Sequence, residues 1–98
     1  MEKITKPKVR TLAAGSELIA KQMQASSGDL LPKHKANVES VLFVHEGECV
    51  FDLDGDKTVL NAGESIIVPA EIKHQIRANS DFKGIHFMPK NIRFTFYD

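Results

Sequence analysis

Gly28-Asp29-Leu30-Leu31-Pro32-Lys33-His34-Lys35-Ala36-Asn37-Val38-Glu39-Ser40-Val41-Leu42-Phe43-Val44-His45-Glu46-Gly47 decides how this chain is read. It holds a turn, an extended run ending on His34, a second turn, and an apolar strand over Val41–Val44 closed by Gly47. Residues two apart on a strand face the same way. His34 and Ala36 therefore share one face, and so do Ser40 and Leu42. A second block answers the first: Gly63-Glu64-Ser65-Ile66-Ile67-Val68-Pro69-Ala70-Glu71-Ile72-Lys73-His74, again a glycine turn, a short apolar strand, a proline and a histidine.

Around these blocks the signals are those of short strands. Val9–Leu12 reads as one. Glu17–Ala25 alternates, with Ile19, Lys21, Met23 and Ala25 on one mixed face. Its residues also have fair helix propensity, but its β context and brevity favour a strand. Cys49–Leu53 and Lys57–Leu60 flank Asp54-Gly55, the strongest hairpin signal in the chain, because a primed turn needs positive φ. Ser65–Val68, His74–Ala78, Gly84–Met88 and Ile92–Tyr97 complete the series. So many short strands at this spacing predict an all-β sandwich or barrel. Residues 1–8, polar and with Pro7, are expected to form a loose arm, and residues 1–98 are expected to make a single domain.

Residues 28–47 and 63–79 together resemble the two sequence motifs of the cupin family. In the first, Gly28, His34 and Gly47 fall in register, while Ala36 stands where the family has a second histidine and Ser40 where it has a glutamate. In the second, Gly63, Pro69 and His74 fit, whereas Glu71 replaces a glycine and Ala78 an asparagine. The resemblance implies a jelly roll of antiparallel strands. It also implies a pocket lined by His34, Ala36, Ser40, Leu42, His74 and Ile76. Family members hold a divalent transition metal on three imidazoles and a carboxylate. Here His34 and His74 remain as metal ligands, and a third would come from Glu39, if a bulge turned it inward, or from His86. Such a set would take iron, manganese, nickel or zinc and make the protein a metal-dependent dioxygenase or isomerase. The reading preferred on the sequence is a small-molecule-binding or metal-independent cupin, because Ala36 has no donor atom and Ser40 is a poor ligand. A pocket with these smaller, uncharged side chains favours a neutral or weakly polar organic ligand, although two neutral imidazoles also suit an anionic or hydroxylated one. His45 has the opposite parity and should point away.

The composition supports a soluble globular chain, with 42% hydrophobic and 27% charged residues. A formal net charge of zero gives no sign of nucleic-acid or membrane binding. One cysteine, Cys49, excludes an intrachain disulfide and, with no visible secretory signal, suggests a cytoplasmic protein. Small cupins commonly pair. A homodimer is expected, with the N-terminal strands and the aromatic run Ile92–Tyr97 at its interface.

Overall fold

The computed structural model describes residues 3–97. It contains ten strands and, among the described residues, no helix: β1 (Lys8–Ala14), β2 (Leu18–Ala25), β3 (His34–Ala36), β4 (Ser40–Glu46), β5 (Glu48–Leu53), β6 (Asp56–Asn61), β7 (Ser65–Val68), β8 (His74–Ala78), β9 (Phe82–Pro89) and β10 (Phe94–Phe96). No helix is therefore long and apolar enough to cross a membrane. Two five-stranded antiparallel sheets face each other, ordered β1-β2-β9-β4-β7 and β10-β3-β8-β5-β6. This is the all-β sandwich that the strand spacing predicted, in the jelly-roll form that the motif resemblance implied.

The turns follow from local chemistry. Asp54 and Gly55 both take positive φ, 49° and 97°, between the paired residues Leu53 and Asp56. Asp52 Oδ1 accepts the Gly55 N–H at 2.7 Å and closes this two-residue hairpin. Gly47 alone joins β4 to β5 at φ 74°, and a side chain there would collide with the Asp81 carbonyl oxygen. The ambiguous segment after Gly15 is a strand over its whole length, pairing with β9 from Leu18↔Pro89 to Ala25↔Phe82.

Alternation builds the interior. On β4, Ser40, Leu42 and Val44 are buried, and on β9 Phe82, Gly84, His86 and Met88 are. Phe51, Cys49, Val68 and Ala78 meet them from other strands. β1, an edge strand, is exposed throughout. The N-terminal arm makes backbone contacts at Ile4 and Thr5. Ile4 bridges Leu30 in parallel, and the Thr5 N–H donates to the Leu30 carbonyl at 2.8 Å. That ties the arm across one end of the sandwich. The first two residues, Met1 and Glu2, lie outside the described residues.

Candidate ligand pocket

The two motif histidines meet through strand register. His34 and His74 are the single paired position between β3 and β8, which brings the first residue of each strand side by side. Each is preceded by a lysine, and each ring bonds the backbone two residues back. His34 Nδ1 lies 3.1 Å from the Pro32 carbonyl oxygen, and His74 Nδ1 lies 3.2 Å from that of Ile72. The two Nε2 atoms face each other at 3.1 Å. His74 stacks on Phe51, and His34 packs edge-on against Phe94.

The protons on this pair can be counted. Donation from both Nδ1 atoms to carbonyls, plus one N–H···N bond between the Nε2 atoms, requires three protons on two rings. Neutral imidazoles carry one each. Burial lowers the pKa of His34. Burial, together with the neighbouring His34 charge, lowers that of His74 to about 4. At neutral pH the pair is thus one proton short, and its geometry leaves an unmet demand for positive charge.

His86 enters from the other sheet. It is 8% exposed, and its Nε2 lies 2.6 Å from the Ser40 hydroxyl. Burial, then the His74 and His34 charges, lowers its pKa to about 4. The position that carries a glutamate in the motif therefore serves here as hydrogen-bond partner to a third histidine. Leu42 and Ala36, each 1% exposed, are packed in the interior. Glu39 is exposed in the segment before β4, and the pairing of β4 with β7 runs from Ser40↔Val68 without the bulge that would turn Glu39 inward. His45 is half-buried, and its Nε2 has no hydrogen-bond partner.

An open cavity of about 780 Å³ leads to this cluster. Of the residues expected around it, His34, Ile76 and His86 line it, and His74 touches His34 at its edge. The sequence did not reveal the rest of the wall. The docked arm supplies Ile4 and Pro7, β2 and β9 supply Met23 and Met88, and the C-terminal strand supplies Phe94 and Phe96. Those aromatics, expected at a pairing surface, line the cavity. The signal that could have found them is the lone apolar residue Ile4 in a polar arm, and the alternation of Phe94 and Phe96 on a strand paired to the one that bears His34.

A family model described as a cupin domain matches residues 22–88. The chain belongs to the cupin family. Solved structures agree on the fold. An RmlC-like cupin from Shewanella frigidimarina is 28% identical, with 85% of this chain and 75% of that one covered and a TM-score of 0.78. A conserved protein with a double-stranded β-helix domain from Klebsiella pneumoniae is 17% identical, with 100% and 90% covered and a TM-score of 0.84. A salicylate 1,2-dioxygenase from Pseudoaminobacter salicylatoxidans, solved with gentisate, is 15% identical with a TM-score of 0.84, covering 97% of this chain but only 31% of that one. No curated protein matches the sequence.

Cupins often bind a metal, so the fit of these residues to one matters. Catalytic metal sites normally keep three protein ligands. His34 and His74 offer two nitrogens, Ala36 offers none, Glu39 is exposed, and His86 is held by Ser40. Among the described residues, no three His, Cys, Asp or Glu side chains form a group that would hold a metal. The donor set does not fit the family's metal.

Proposed function

We propose that this cupin binds a small organic molecule with a large apolar part, and does so without a metal. The observation that supports this reading is the cavity itself. It is walled by Met23, Met88, Leu31, Ile76 and two phenylalanines, and it ends on buried imidazoles that lack a third donor. Its volume lies within the range usual for small-molecule sites, as does its mix of apolar walls and a few polar groups.

The test pairs elemental analysis of protein purified without chelator or metal resin with NMR of methyl-labelled protein. We expect no stoichiometric metal, and we expect the Met23 and Met88 methyl signals to shift when 1-octanol is added. Near-stoichiometric iron, manganese, nickel or zinc that disappears in a His34→Ala/His74→Ala variant would overturn the metal-free reading. It would make the metal-dependent dioxygenase or isomerase the better account.

A further inference from the structure

Lys21 is out of place by the logic of its strand. It lies on the face of β2 shared with Met23, which packs against the core, and with buried Ala25. In the ladder it stands opposite His86, so both side chains leave the sheet on the cavity side. Among the described residues it forms no ion pair or hydrogen bond, and it lines the cavity. Lys6 of the docked arm lines the same cavity. Among the described residues no aspartate or glutamate does. The cavity thus has two cations towards its arm and β2 side, neutral imidazoles at its base, and apolar side chains between them, so the anion's place is with the lysines and not at the imidazoles.

We infer that the ligand is an amphipathic organic acid, an apolar body carrying one carboxylate, with the carboxylate at Lys21 and the body against Met23, Met88, Phe94 and Phe96. This rests on the binding reading above and narrows its ligand class. It takes the anionic alternative over the neutral ligand that Ala36 and Ser40 favour, because Lys21, which the motifs did not place in the pocket, lines it. Lys21 is half-buried and has no protein carboxylate on its wall, so a ligand carboxylate would supply the counter-charge. The bland alternative is that the Lys21 stem merely covers apolar wall while its head reaches water. That alternative predicts no preference for anions.

Calorimetric titration with octanoate, 1-octanol and octylammonium, which share one alkyl chain and differ in charge, separates these cases. Wild type should bind octanoate at least about tenfold more tightly than octanol, the worth of one charge-assisted contact. In Lys21→Met, which keeps the stem, that advantage should collapse while octanol binds as before. In Lys21→Glu the preference should turn towards octylammonium. Equal binding of octanoate and octanol by wild type would overturn the ligand class, and an octanoate preference that survives Lys21→Met would overturn the seat at Lys21; either leaves the pocket reading standing. Heat and methyl shifts from none of the three probes would bring down the pocket reading with it.

Discussion

The two ends of this sandwich share β2, β4, β5, β8 and β9 yet have opposite characters. At one end Phe82, Val44, Cys49 and Ala78 are at most 1% exposed and close the space between the sheets. Gly84 belongs there, since a β-carbon on it would lie 3.2 Å from Leu42 Cδ1. At the other end the same strands continue through His86, Met88 and His74, and the space stays open. Phe96 is 62% exposed there and packs against His34. The difference lies in which residues point inward. Branched and aromatic side chains fill the solid end, while imidazoles, methionines and a lysine leave room at the open one. A jelly roll can therefore keep a binding site at one end without weakening the other, because stability is concentrated where packing is complete.

The most severe way to break that comparison is to remove a ring from each end. Phe82→Ala should cost about 3–5 kcal/mol in urea unfolding, as buried aromatic truncations do. Phe96→Ala should cost about 1 kcal/mol or less. Equal losses would mean that the open end carries as much of the stability as the solid one.

Acid should attack the open end next. His74 and His86 titrate near 4 when folded and near 6.5 when unfolded. Their folded pKa values are depressed, so the unfolded chain binds more protons between those limits. The stability they contribute is present above pH 6.5 and is lost as pH falls towards 4. For one independent group such a shift corresponds to on the order of 3 kcal/mol; these two rings sit near each other and titrate jointly. Thermal melts from pH 7 to 4.5 should show the decline. A His86→Gln variant should show a shallower one, and an unchanged slope would locate the acid sensitivity elsewhere.

A smaller effect should come from the solid end's tightest turn. Gly47→Ala adds to the strain of a positive φ a collision on the Asp81 carbonyl, which alone should cost about 1–3 kcal/mol. Gly55→Ala has the same kind of φ but open space around it. It should cost only the backbone strain, about 1–2 kcal/mol. Denaturant midpoints for the pair would separate crowding from conformation.

The solid end was largely legible in the sequence. Alternation in Cys49–Leu53 sets inside from outside, the unbroken apolar run Val41–Val44 marks a buried strand, and Asp54-Gly55 fixes a register that pattern alone would leave open. The open end was only half legible. His34 and His74 were visible through motif spacing, and their contact follows from one register pair. Its other walls come from far along the chain, from Ile4, Lys21 and Phe94, whose short or mixed segments do not say which face turns inward. The role of Ser40 was hidden for another reason. Spacing marked it as a missing ligand, and only the pairing of β4 with β9 shows that it faces a histidine.

Ser40 therefore marks the boundary between the two ends, and the gentlest test is made there. Its hydroxyl is 4% exposed as a residue and holds His86 Nε2 at 2.6 Å. In Ser40→Ala the histidine loses that partner inside the protein, which should cost about 1–2 kcal/mol. Ser40→Thr keeps the hydroxyl and should lose less than Ser40→Ala. If instead Ser40→Ala is neutral, water from the cavity has replaced the hydroxyl, and Ser40 belongs to the wet end. A loss matching that of Phe82→Ala would place it with the dry one, and the division between a packed half and an open half would have to be drawn below His86 rather than through it.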